Sequence, residues 1–222
     1  CDLDRDLYYA SLGYLLGEIA GSRVAVISGA PADTSEDELK SLGAAAASSG
    51  GVAMFQVLGV TPEAPTLDAA LRGESESCES REISIADLAA VPGRLCEAEP
   101  GEPVSALCVG TPHVSLEEFR QMAGWASGRR AASGVEVLVT TSRDVRKELE
   151  ETSLLQVLQD YGVRIATDTC TYLLPAAIPP GGVIVTNSAK YAHYGPGNTG
   201  RKTVLMSLER CMRCAEKGAI VA

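Results

Sequence analysis

Aromatic residues make up 5% of this 222-residue sequence, and there are two histidines. No apolar run approaches the roughly 18 residues that a membrane-spanning helix needs, so no membrane span is expected. No basic stretch followed by an apolar one reads as a signal peptide. Basic residues are outnumbered, the formal net charge is −10, and no Lys/Arg stripe occurs. Such a field repels phosphate backbones, which excludes nucleic acid as a partner. The seven cysteines are odd in number and scattered, so a disulfide framework is not expected. A reducing cytoplasm is the expected location, with thiols buried or bound to metal.

Several motifs are missing as well. No CxxC…CxxC pair points to structural zinc, and no GxxxxGK[ST] loop points to phosphate cradling. No GxSxG elbow supports a serine hydrolase, and no GxGxxG follows the first apolar run, which disfavours a Rossmann-like nucleotide binder. There is no internal repeat, and "GAAAASSGG" at 43–51 reads as a helix end and turn.

What is present is a series of short apolar runs separated by helical segments. They are "RVAVISGA" (23–30), "VAMFQVLGV" (52–60), "VSALCVG" (104–110), "VEVLVTT" (135–141), "VRIATDT" (163–169) and "VIVTNSA" (183–189). Nearly continuous apolar runs of this length suit strands covered on both faces. Ser35 with Glu38, and Ser115 with Glu118, have the spacing of capping boxes that open helices. The alternation predicts an α/β fold, a three-layer α/β/α arrangement with a largely parallel sheet, as a single domain over 1–222. The polar segments "GESESCESR" (73–81) and "CEAEPGEP" (96–103) read as exposed loops.

Open α/β sheets bind ligands beyond the carboxyl ends of their strands. The segments found there are "TPHVSLEE" after 104–110, "CTYLLPAAIPPGG" after 163–169 and "KYAHYGPGNTG" after 183–189. Both histidines therefore belong to one expected rim. His113 follows Thr111-Pro112 before the helix that Ser115 opens, a place suited to donating to a substrate oxygen or passing protons. Lys190 as a point charge suits a carboxylate or phosphate, with His193 three residues on. Asn187, Ser188, Tyr191 and Tyr194 add hydrogen-bonding groups in the same short stretch. Cys170 and Cys108 are the thiols closest to the rim and are candidate soft metal ligands, Cys108 equally a buried small hydrophobe. "CMRC" (211–214) lies in a helical pattern closed by Gly218, so its two cysteines are expected on a buried helix face. Cys1, Cys78 and Cys96 are assigned no role.

"TPHVSLEEF", "DTCTYL", "GGVIVTNSAKYAHYGP" and "VLMSLERCMRCAEKG" resemble the aconitase X family, and "LGYLLGEIAGSRVAVISGAP" extends the likeness over nearly the whole chain. The resemblance implies an aconitase-like fold and an iron-dependent dehydratase, a hydro-lyase acting on a small hydroxy acid. It implies an iron or iron–sulfur centre with Cys170 as ligand, and a pocket lined by Thr111, His113 and the stretch Ser188–His193. It also implies a swivelling domain, on a small subunit or fused, that closes over the site. Members act on cis-3-hydroxy-L-proline or on mevalonate 5-phosphate, and "GTPH" inclines the reading to the proline. Some relatives carry a cysteine where this chain has Thr111, a place for which Cys108 is the candidate substitute.

The family's catalytic region is about twice as long as this chain and carries an upstream "CTPYL" cysteine segment. The start at Cys1 in place of methionine reads as a processed chain or a piece of a longer one, and the resemblance implies the C-terminal half of such a region, without the upstream half and the swivelling domain. A separately stable, non-catalytic domain is the competing expectation.

Overall fold

The computed structural model describes residues 3–72, 78–95 and 98–221. Cys1, Cys96 and residues 73–77 of the polar segment 73–81 lie outside the described residues, while Cys78 is exposed. The chain is α/β, as expected. Where one domain is expected, it divides into two compact units, Cys1–Val91 and Pro92–Ala222.

The first unit contains α1 (Arg5–Ala20), β1 (Ala25–Ile27), α2 (Glu36–Gly50), β2 (Phe55–Val57) and α3 (Leu67–Leu71). β1 and β2 pair in parallel, with α2 as the crossover. α1 and α2 approach closely because Gly17 faces Gly50; a Cβ on Gly17 would come within 2.8 Å of the Gly50 amide nitrogen. Arg5 fastens the same pair of helices by bonding Asp33 at 3.1 Å and also the Glu38 carboxylate. The Ser35–Glu38 capping box is present, so both side chains satisfy first-turn amides that the helix itself cannot. Helix α4 (Ile85–Leu95) spans the division between the units.

The second unit is built on a parallel sheet of order β5-β4-β3-β6-β7. Its strands are β3 (Val104–Val109), β4 (Glu136–Thr141), β5 (Val163–Thr167), β6 (Val183–Thr186) and β7 (Thr203–Leu205). The four expected runs from 104 onward form β3 to β6, whereas β7 adds a strand the pattern did not predict. Its helices are α5 (Leu116–Ala126), α6 (Arg143–Glu150), α7 (Leu154–Tyr161), α8 (Ala189–Thr199) and α9 (Leu208–Lys217). One sheet face, with Leu107, Val109, Val137 and Val139, packs on Phe119, Met122, Leu158 and Met212 from α5, α7 and α9. The other face, with Ala106, Cys108, Leu138 and Ile184, is covered by Ile178 and by Tyr191 from α8. Each fully buried aliphatic side chain contributes about 1.5–3 kcal/mol relative to exposure, so these two layers dominate the unit's stability.

Cys211 and Cys214 lie buried in α9, as their spacing predicts, and Gly218 closes that helix with φ 68°. Among the described residues, no helix is long and apolar enough to cross a membrane.

Candidate active site at the carboxyl ends of the strands

The stretch 187–200, expected to hold a ligand beyond the 183–189 run, forms the cap and body of α8. Ser188 is its N-cap, accepting a hydrogen bond from the Tyr191 amide at 3.0 Å. Gly195, Pro196 and Gly197 fall in the last turns, where the proline removes an i→i−4 donor and crowds the preceding turn, a cost of about 3 kcal/mol. Packing overrides propensity here: Ala189, Tyr191, Ala192 and Gly195 are buried.

Two threonines at the end of β4, both fully buried, organise the rim. Thr140 Oγ1 donates to the Gly110 carbonyl at 2.6 Å, and Thr141 Oγ1 donates to the Val114 carbonyl at 2.6 Å. The Val114 amide returns a bond to the Thr140 carbonyl at 3.0 Å. The segment "GTPHV" is thus held at both ends. The Asp168 amide also bonds the Thr141 carbonyl, at 2.9 Å, which ties the turn after β5 to the same strand.

Between these anchors the expected residues meet. Thr111 Oγ1 and Thr171 Oγ1 share a hydrogen bond at 3.0 Å, and Ser188 Oγ donates to the Thr111 carbonyl. His113 Nε2 lies 2.9 Å from the Thr169 carbonyl oxygen. A carbonyl can only accept, so Nε2 carries the hydrogen, and of the two neutral tautomers the contact selects the one with Nδ1 as acceptor. Cys170, half-buried, follows directly. The Tyr172 hydroxyl neighbours its thiol; burial first, and then that thiol, push the tyrosine up to about 12. The Tyr172 ring stands 6.0 Å from both the Tyr191 and Tyr194 rings, so α8 and the Cys170 turn form one wall.

Lys190 is half-buried in the first turn of α8, and no ion pair or hydrogen bond engages it among the described residues. A cation at the positive end of a helix dipole is unfavourable unless an anion joins it. Asn187 is half-buried beside the cap, and His193 and Tyr194 are exposed further along, their rings 4.7 Å apart.

Two expected roles meet a different structure. Cys108 is fully buried on β3, and desolvation raises its thiol from 9.0 to about 12. A thiolate is disfavoured there, so the structure supports the core reading over the metal ligand. Tyr191, expected as a substrate donor, is also fully buried. Its hydroxyl finds no hydrogen-bond partner among the described residues; it neighbours the Cys108 thiol, and burial first shifts it upward. The sequence reading overlooked Thr140, Thr141, Arg143, Asp168, Thr171 and Tyr172. "TTSR" and "DTCTY" were the available signals, polar residues crowding the carboxyl ends of two apolar runs.

Comparison with known proteins bears on this geometry. The family model described as the aconitase X second domain matches residues 1–92, and that of the aconitase X third domain matches 104–217. The chain belongs to the aconitase X family. Their boundary agrees with the division into two compact units. The chain is 40% identical over 98% of its length to a cis-3-hydroxy-L-proline dehydratase of Hypocrea jecorina. It is 38% identical over 96% of its length to one of Pseudomonas aeruginosa. It is 32% identical over 95% to a phosphomevalonate dehydratase large subunit of Methanosarcina mazei. It spans 37% of the length of the first two relatives and 49% of the third. Its fold is that of the holo-form of aconitase X from Thermococcus kodakaraensis, with a TM-score of 0.80 at 23% identity, covering 95% of this chain and 52% of that one.

For an aconitase X chain the question of iron follows. Among the described residues, no group of three or more His, Cys, Asp or Glu side chains is gathered closely enough to hold a metal ion. The half-buried Cys170 thiol at the rim is a soft donor of the kind that iron accepts.

Proposed function

We propose that this chain forms one wall of the active site of a hydro-lyase that dehydrates a small hydroxy acid, cis-3-hydroxy-L-proline being the substrate. The observation that carries this is the rim itself: an oriented histidine, an unengaged lysine and an accessible thiol, placed together at the ends of β3, β5 and β6. Thr111, Asn187 and Ser188 frame this wall, and His193 and Tyr194 stand further along α8. The identity of the relatives favours the proline over mevalonate 5-phosphate, 40% against 32%.

In this reading Lys190, helped by the amides at the α8 N-terminus, holds the substrate carboxylate. That placement stabilises the charge that develops on the carboxylate as the neighbouring carbon loses its proton. His113 Nδ1 takes or relays that proton, because its Nε2 is occupied by the Thr169 carbonyl. Departure of the hydroxyl with a second proton releases water and leaves a carbon–carbon double bond. Cys170 is this chain's contribution to an iron or iron–sulfur centre, which when bound supplies Lewis-acid assistance to the departing hydroxyl. The remaining ligands, and a swivelling domain that closes the pocket, belong to other parts of the full-length protein or to a small subunit. The reaction takes place in the cytoplasm.

The test is water elimination by the full-length protein, purified anaerobically with iron and followed by proton NMR on each substrate in turn. Turnover of cis-3-hydroxy-L-proline is expected. Turnover of mevalonate 5-phosphate alone would reassign the substrate, and turnover of neither by a folded, iron-loaded protein would leave a non-catalytic domain.

A further inference from the structure

We propose that the Arg143–Asp168 ion pair is a positioning clamp for His113 and Cys170, a proposal that rests on the reading of those two side chains given above. Asp168 occupies the turn after β5 with φ 56°, a left-handed conformation that residues other than glycine seldom adopt. Three bonds hold it there. Its amide donates to the Thr141 carbonyl at 2.9 Å, its Oδ1 accepts from the Arg143 amide at 3.2 Å, and its Oδ2 accepts from Arg143 Nε at 2.6 Å. The next residue is Thr169, whose carbonyl orients the His113 ring, and the one after is Cys170. A torsional change at Asp168 therefore displaces both reactive groups together.

The Arg143 and Asp168 side chains are 72% and 37% exposed, so this pair contributes little to folding. Its effect is geometric: one carboxylate is fixed at two points, by a main-chain amide at the start of α6 and by a rigid guanidinium. The competing account is that Asp168 merely caps α6, and the two accounts differ in what they do to the imidazole.

The experiment uses the full-length protein and three variants. Arg143→Met removes the guanidinium, Asp168→Gly removes the carboxylate while accepting the left-handed backbone, and Arg143→Lys restores the charge. The readouts are kcat and KM separately, the melting temperature, and the 15N spectrum of the His113 ring, assigned by its loss in His113→Gln. Arg143→Met and Asp168→Gly should lower kcat about 10- to 100-fold with KM within about twofold, as for lost supporting contacts in other sites. The His113 ring should pass from a single Nε2–H tautomer to a mixture, and Arg143→Lys should recover part of both. An unchanged tautomer overturns the clamp, whether kcat falls or only the melting temperature does. Should the parent protein turn over neither substrate, the functional reading fails, and the ring spectra alone decide the clamp.

Discussion

The 2.9 Å contact from His113 Nε2 to the Thr169 carbonyl oxygen joins the loop after β3 to the turn after β5 and selects one ring nitrogen as the acceptor. It turns a histidine that sequence could only place near a rim into a ring held in one orientation. His113→Gln separates the two functions, since a glutamine amide can still donate to a carbonyl but cannot take a proton. The full-length variant should lose about 10²- to 10⁴-fold in kcat, with KM less affected. Steady-state kinetics on cis-3-hydroxy-L-proline check this, and an unimpaired kcat would remove His113 from the proton path.

Lys190 makes an opposite kind of prediction. It meets no partner among the described residues and sits at the unfavourable end of the α8 dipole. Lys190→Met should therefore leave the melting temperature unchanged or raise it slightly, by the roughly 0.3–1 kcal/mol of such dipole effects. Substrate binding should suffer instead, because a hydrogen bond to a charged group contributes about 1.5–3 kcal/mol. KM should rise about 10- to 100-fold. A lower melting temperature with normal KM would make Lys190 a structural residue.

The thiols should separate by reactivity and by pH. Cys170 is half-buried at the rim, whereas Cys108, Cys211 and Cys214 are buried. In the folded protein stripped of iron, iodoacetamide should modify Cys170 and spare those three, a pattern that peptide mass spectrometry reads directly. Burial holds the Cys108 thiol at about 12, above the ordinary 9.0. The unfolded chain thus releases this proton first as pH rises, and stability falls from about pH 9 upward, where the unfolded state binds fewer protons. Cys108→Ala should flatten that alkaline decline in denaturation curves recorded between about pH 8 and 11.

The division between what sequence showed and what it hid follows from which forces act locally. β3, β4 and β6 were legible because both faces of each strand are covered, giving apolar runs with little interruption, whereas β5 is an edge strand with Arg164 and Thr167 exposed and shows a shorter apolar signal. The capping boxes at Ser35 and Ser115 were legible because their chemistry lies within four consecutive residues. β7 was not, since three residues after Lys202 carry no periodicity of their own. Nor was α8, whose Gly195, Pro196 and Gly197 argue against a helix; the Ser188 cap and burial of Tyr191 against the sheet stabilise it. Placement of His113, Cys170 and Lys190 on one rim followed from the rule for parallel sheets. The threonine anchors and the Arg143–Asp168 pair depend on contacts between strands distant in sequence, which no local pattern carries. The two-unit division was equally hidden, because the runs at 23–30 and 52–60 read like those of the larger sheet.

Gly110 offers the sharpest test of how the rim is built. It ends β3 with φ 101°, immediately before Thr111 and His113, and its carbonyl accepts from Thr140 Oγ1. A Cβ there would overlap the Thr140 carbonyl oxygen and come within 2.7 Å of the Thr140 amide nitrogen. Neither neighbour can yield, because both belong to the backbone of the adjacent central strand. Gly110→Ala combines a disfavoured backbone conformation with overpacking, each costing about 1–3 kcal/mol, so a loss of about 3 kcal/mol or more is expected. Urea denaturation of the full-length protein measures it. Gly124→Ala provides the control, since a Cβ at that glycine of α5 meets nothing within 4 Å and a helix interior favours alanine. The control should be neutral or stabilising by up to about 1 kcal/mol. A Gly110 variant as stable as the control would mean that the segment before His113 is free to move away from β4, and that the threonine anchors do not hold it.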